Sequence, residues 1–172
     1  MSADPTAIDI DFDPREQRMV GVAFHGDTPF DVPFISEIAP NLWTGGCRDG
    51  LILPDHIVHL VSLYPWERYK RAHDLGSSLT VRMYDDLKGP DADQVLTIAA
   101  WVNVCRKTGP TLVHCQAGLN RSGLVAAAAL MLNGMSADDA IGLLRAKRSP
   151  AVLCNSKFTA LLQEMHADAG AG

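Results

Sequence analysis

The stretch His114-Cys115-Gln116-Ala117-Gly118-Leu119-Asn120-Arg121-Ser122-Gly123 decides how this chain is read. A Cys and an Arg bracket five residues. The apolar run Thr111-Leu112-Val113 leads in, and an apolar segment over 124–132 leads out. This pattern predicts a strand, a tight loop and a helix N-terminus. Such a loop points successive backbone N–H groups inward, and the helix dipole adds partial positive charge, so it binds an oxyanion. Gly118 supplies the positive φ that so tight a turn needs. Arg121 adds a planar fork that holds two oxygens at once. The same field favours the thiolate of Cys115. A nucleophile and an anion cradle in one loop describe a site for covalent phosphoryl transfer. Packing alone would explain a buried Cys in such a turn, but not Arg121, Gly118 and Ser122 together with it.

Working outward, the chain from Ile38 onward reads as alternating strands and helices. Residues 41–44 form a short strand ended by Gly45-Gly46, and the β-branched run 56–63 a central strand. Residues 66–75 read as a short helix stopped by Gly76, and 79–84 as the next strand. Asp91 and Gln94 make a capping-box pattern before a helix that buries Val95, Ile98, Ala99 and Val102. The helix after the loop stops near Asn133-Gly134. Ser136 caps another, ended by Ser149-Pro150, and a last helix begins near Asn155 with Phe158, Leu161, Leu162 and Met165 on one face. This order predicts an α/β fold: a central, mostly parallel sheet of four to five strands flanked by helices. Residues 1 to about 18 are polar and acidic and read as a flexible or loosely packed arm, followed by a short strand over 20–24. The expected division is an acidic N-terminal extension over 1–34 and a catalytic domain over 35–168.

The loop resembles that of the protein tyrosine phosphatase superfamily, which reads His-Cys-(five residues)-Arg-Ser/Thr-Gly, and every fixed position is matched. The order of elements resembles the small dual-specificity branch. Residues 38–45 look like its first strand, and 148–158 like its closing segment, where an Asn precedes a Phe by three residues. The resemblance spans roughly residues 35–165. It implies a phosphatase-like fold with the phosphate loop between a strand and a helix, and a cysteine-dependent mechanism without a cofactor or metal.

It also implies roles for individual residues. Cys115 attacks phosphorus and forms a phosphocysteine. The N–H groups of Gln116, Ala117, Gly118, Leu119, Asn120 and Arg121 hold the equatorial oxygens. Ser122 donates to the Cys115 sulfur as it leaves, a role compatible with an ordinary helix cap. His114 is turned away by strand alternation and orders the loop from behind. The general acid comes from Asp85-Asp86, before Gly89-Pro90. In the family pattern apolar residues fall two and four positions before the acid. Val81 and Met83 thus select Asp85, whereas Asp86 would have Arg82 and Tyr84 there. An Asp-Asp pair before Gly-Pro is otherwise an ordinary solvated turn. Asn155 aligns loosely with the closing-segment Asn, and a helix N-cap is the favoured reading of it.

Composition narrows the rest. The 172 residues fit one domain with a sizeable core. The net charge of -5 gives no basic footprint for nucleic acid. The longest apolar run, over 124–132, is too short to cross a membrane, and the acidic start is not a secretory signal. The four cysteines fit neither a zinc knuckle nor a disulfide framework, which suits a reducing, cytoplasmic setting. Cys47 and Cys154 are candidate thiols for trapping oxidised Cys115. His56 and His59 would face opposite sides of a strand, which argues against a shared metal.

The variable loop residues Gln116, Ala117, Leu119 and Asn120 carry no charge, unlike the lysines that phosphoinositide phosphatases of this fold place there. Asn120 before Arg121 resembles the RNA 5′-triphosphatases of the superfamily. The expectation is a phosphorylated protein substrate, phosphotyrosine and also phosphoserine or phosphothreonine. A phosphoinositide or RNA 5′-triphosphate substrate is the alternative, and a non-catalytic phosphate-binding module or a rhodanese-type sulfur transferase would be a different class.

Overall fold

The computed structural model describes residues 2–171. The central sheet has five strands: β4 (Ile35–Ala39), β5 (Leu42–Gly45), β6 (His59–Ser62), β7 (Ser77–Thr80) and β8 (Thr111–His114), in the order β4-β5-β8-β6-β7. Only β4 and β5 pair antiparallel, through a tight Pro40-Asn41 turn in which Asn41 takes φ 60°. The other pairings are parallel. β8 and β6 are buried at every residue, as strands covered on both faces must be.

Four helices follow: α1 (Ala92–Arg106), α2 (Arg121–Leu132), α3 (Ala137–Lys147) and α4 (Ser156–Ala171). Asp91 caps α1 by accepting from Asp93 N, and Ser136 caps α3 by accepting from Asp139 N. α2 is buried from Arg121 to Leu130, the mark of a helix at the centre of a core. The alanines 126–129 let α1, α3 and α4 pack closely around it. The expected fold class is the one observed.

Residues ahead of this sheet differ from the sequence reading. They are not a loose arm. β1 (Ile10–Asp13), β2 (Arg18–Ala23) and β3 (Thr28–Pro33) form a three-stranded antiparallel sheet, with a 3₁₀ turn, His25–Asp27, between β2 and β3. The signal was period-two alternation in Ile8-Asp9-Ile10-Asp11-Phe12-Asp13, which puts the apolar residues inward and the aspartates in solvent. The acidic charge masked it. Met19 from β2 is fully buried, and a Cβ on Gly46, beside the phosphate loop, would lie 2.5 Å from its Cε.

Two further expectations fail. Residues 66–75 form no helix, because Tyr69 is buried with its hydroxyl donating to Gly46 O, and Lys70 bridges to Ile52. The strand expected over 79–84 instead runs Ser77–Thr80. Its partner β6 ends at Ser62, so the chain leaves the sheet after Val81 N donates to Ser62 O.

Candidate active site

β8 delivers the phosphate loop and α2 receives it. The loop's shape follows from where its carbonyls go. Gln116 O accepts from Cys47 N at 3.1 Å, Leu119 O from Leu153 N at 3.2 Å and Asn120 O from Leu124 N at 2.8 Å. Ala117 O and Gly118 O accept from the Arg148 guanidinium at 3.0 and 2.7 Å. Five consecutive carbonyls are thus tied outward. In trans peptides the following N–H points the opposite way, so residues 117–121 aim their N–H groups at a common centre. Among the described residues, the N–H groups of 116–120 donate to no protein group. Gly118 takes φ 71°, and a Cβ there would lie 2.4 Å from the Gly45 carbonyl carbon. No other residue fits.

Cys115 lies buried at the foot of this cradle, with its Sγ 3.5 Å from Ser122 Oγ. Arg121, buried in the first turn of α2, donates through Nη1 to Met83 O at 3.0 Å and to Asp4 Oδ2 at 2.8 Å. Its Nε is buried without a partner among the described residues, and its guanidinium lies over the Tyr64 ring. Burial opposes its charge, but Cys115, Asp85 and Asp4 more than offset that and hold its pKa above the ordinary value.

Asp85 lines the same cavity as Cys115 and Arg121. Its Oδ1 accepts from Asn155 Nδ2 at 2.9 Å and sits 3.0 Å from His25 Nε2, and its Oδ2 accepts from Asn120 Nδ2 at 2.9 Å. Asp86 does something else: its Oδ1 accepts from the N–H groups of Lys88 and Gly89 and shapes the turn. Asn155 combines both roles weighed for it. Its Oδ1 accepts from Lys157 N at the start of α4, while its Nδ2 reaches Asp85 and its N–H donates to Asn120 Oδ1.

His114 is fully buried behind the loop, with Nδ1 3.2 Å from Cys115 O and its ring edge-on to Tyr69. Burial pushes its pKa down to about 4, so it is neutral at pH 7. Cys47, Cys105, Cys115 and Cys154 are free thiols. Burial raises the pKa of Cys47 and of Cys154, and Cys154 Sγ contacts the Asn120 side chain. His59 is engaged with Thr108, and the His56 ring packs at a tilt against Trp43.

Four contributors were missed in the sequence. Arg148 is buried and also reaches Pro33 O and Ser36 Oγ, so one guanidinium ties the loop to β3 and β4. Burial lowers its pKa to about 10, still well above neutrality. His25 comes from the N-terminal sheet. Asp4 and Thr6 come from the segment read as an arm: Thr6 Oγ1 accepts from Asp85 N at 3.1 Å. Contacts this distant in sequence leave no local pattern.

The family described as "Dual specificity phosphatase, catalytic domain" matches residues 71–168, which include the loop, Asp85, Arg148 and Asn155. The chain belongs to the dual specificity phosphatase family. A mouse putative dual specificity phosphatase, solved in complex with zinc tungstate, is 28% identical, with a TM-score of 0.68 over 81% of this phosphatase and 90% of that chain. Human DUSP28 shares the fold at 24% identity, with a TM-score of 0.68 over 79% and 98% of the two chains. A human tyrosine phosphatase-like serine/threonine/tyrosine-interacting protein does so at 22%, with a TM-score of 0.66 over 78% and 97%. No curated protein matches the sequence. This phosphatase is a cysteine-dependent hydrolase by its family. Among the described residues, no helix is long and apolar enough to cross a membrane, and no group of His, Cys, Asp or Glu could hold a metal ion.

Proposed function

We propose that this phosphatase hydrolyses phosphotyrosine and phosphoserine or phosphothreonine in proteins through a phosphocysteine on Cys115. One observation carries the reading. Cys115 Sγ, an inward-facing ring of N–H groups, Arg121 and Asp85 meet in one cavity. The Cys115 thiolate attacks phosphorus as the bond to the leaving oxygen breaks, and Asp85 gives its proton to that oxygen. Gln116 to Arg121 hold the equatorial oxygens through both steps. Water then attacks phosphorus and yields a proton to the Asp85 carboxylate. The P–S bond breaks, and Ser122 donates a hydrogen bond to the departing thiolate. Tungstate, like phosphate, is a tetrahedral oxyanion, so the mouse neighbour's complex supports such a cradle.

Asn120 needs no RNA to explain it, since its side chain joins Asp85 to Asn155. The test is a panel at equal concentration: phosphotyrosine and phosphothreonine peptides, phosphoinositides and a 5′-triphosphate RNA. Peptide turnover at the highest kcat/KM is expected, together with its loss in Cys115→Ser. Preference for the lipid or the RNA would replace the substrate class. Binding without turnover of any of them would make the chain a phosphate-binding module, and a cyanide-dependent thiosulfate assay would expose a sulfur transferase.

A further inference from the structure

The cradle described above is covered by the chain itself. Asp4 is buried to 6% exposure, although Ser2, Ala3, Pro5 and Ala7 around it are exposed. Its Oδ1 accepts from Thr6 N at 2.8 Å and Thr6 Oγ1 at 2.7 Å, a turn that braces the carboxylate. Its Oδ2 meets Arg121 Nη1 at 2.8 Å. Asp4 thus shares Nη1 of Arg121 with Met83 O and latches the segment to the guanidinium, while Nε stays without a partner among the described residues. Downstream, Gln116 clamps the main chain: Ile8 N donates to its Oε1 at 2.9 Å, and its Nε2 donates to Ile8 O at 2.7 Å. Upstream, the Trp66 indole donates to Ser2 O. The cavity left over Cys115 is about 20 Å³, lined also by Thr6 and Ile8. That is room for about one water molecule, not for a phosphoryl group.

We propose that residues 2–8 are an intramolecular lid over the phosphate loop: Asp4 latches it to Arg121, Gln116 holds its extended backbone as it would hold a substrate peptide, Thr6 and Ile8 fill the room over Cys115, and turnover requires the segment to leave. The peptide half of this rests on the function proposed above. The competition half rests only on Thr6 and Ile8 lining a cavity over Cys115 that is too small for a phosphoryl group.

The segment is built to detach. Its anchors are a few hydrogen bonds and the half-buried Ile8, while Ser2, Ala3, Pro5 and Ala7 are exposed, and so few contacts mark a segment of low local stability. A second cavity of about 180 Å³ runs beside it, between Pro5, Ile8, Phe24 and Leu87, so its outer side is loosely packed. An oxyanion that binds only the open state is weakened by the fraction of molecules closed, and by reciprocity its binding expels the segment.

The test uses the full chain and inorganic phosphate as the probe. Asp4→Asn keeps the size of the side chain and removes its charge. It should bind phosphate about tenfold tighter than wild type by calorimetry and raise kcat/KM on phosphopeptides similarly. Asp9→Asn, an equal change of charge at an exposed site, should alter neither. In the wild-type protein, saturating phosphate should speed amide hydrogen exchange at Thr6 and Ile8, whose N–H groups bond to Asp4 and Gln116. An Asp4→Asn protein that melts cooperatively yet binds phosphate no tighter than wild type would overturn the proposal. So would unchanged protection of Thr6 and Ile8 with phosphate bound, which needs no variant to fold. Failure of the phosphopeptide reading looks different: phosphate binding and exchange respond as stated, while no phosphopeptide turns over.

Discussion

Asp85 and Asp86 are adjacent and identical in chemistry, and the fold separates them. Asp85 points into the cavity over Cys115, whereas Asp86 accepts two backbone N–H groups in its own turn. Asp85→Asn should therefore slow turnover about 10²-fold or more on a poor leaving group and much less on an aryl phosphate whose leaving group is a stable anion. Asp86→Asn should show no dependence on the leaving group. A larger, leaving-group-dependent loss at Asp86 would move the acid by one residue. Arg121→Lys should be nearly as damaging as Arg121→Ala, because Lys cannot present two parallel donors to two oxygens. Near wild-type rates in Arg121→Lys would mean that charge alone suffices.

His114 carries a pH consequence. Burial holds its pKa at about 4 in the folded chain, against an ordinary value near 6.5. Above pH 6.5 it is neutral in both states and contributes nothing. Between 6.5 and 4 the unfolded chain binds the proton and the folded chain does not, so stability falls as pH drops through that window. Below 4 the loss is complete, at up to about 3 kcal/mol. Denaturant titrations of wild type and His114→Asn at pH 7 and 4.5 should show a smaller loss in the variant; equal losses would mean that His114 protonates freely in the fold.

At the scale of elements, the phosphate loop is held by a single guanidinium more than by its own turns. Arg148 donates to Ala117 O, Gly118 O, Pro33 O and Ser36 Oγ. Arg148→Lys keeps the charge but cannot span four acceptors, so it should cost about 2–4 kcal/mol of stability and lower kcat as well. Urea unfolding beside steady-state kinetics checks both, and a variant as stable as wild type would remove Arg148 from this role. Most elements were legible beforehand because their signals are local. Asp91 and Ser136 cap where expected, and the Thr111–His114 strand is apolar enough to be buried on both faces. The failures have causes distant in sequence. The segment 66–75 carries enough apolar residues for a helix turn, yet burying Tyr69 against Gly46 requires an extended path.

Across the whole molecule, the N-terminal sheet and the central sheet share one core. Met19 and Val32 are fully buried in the same apolar cluster as Leu124 and Phe158. Met19→Ala should lower global stability by roughly 2–5 kcal/mol while unfolding remains a single transition. Two transitions by calorimetry would show the N-terminal sheet to be an independent unit.

By itself the sequence determined the fold class, the phosphate loop and the pairing of Cys115 with Arg121. Those depend on residues within ten positions of one another, where spacing, apolar periodicity and a required glycine leave few conformations. The family resemblance, with Val81 and Met83 at its apolar positions, pointed to Asp85 over Asp86. Only the tertiary structure decided that Arg148 ties the loop down, that His25, Asn120 and Asn155 meet at Asp85, and that Asp4 lies on Arg121. The last of these joins residues 117 positions apart. A buried ion pair across that distance depends on how the two sheets pack, and neither partner shows it locally. The acidic N-terminus therefore looked like a solvated arm until the core placed one of its carboxylates inside.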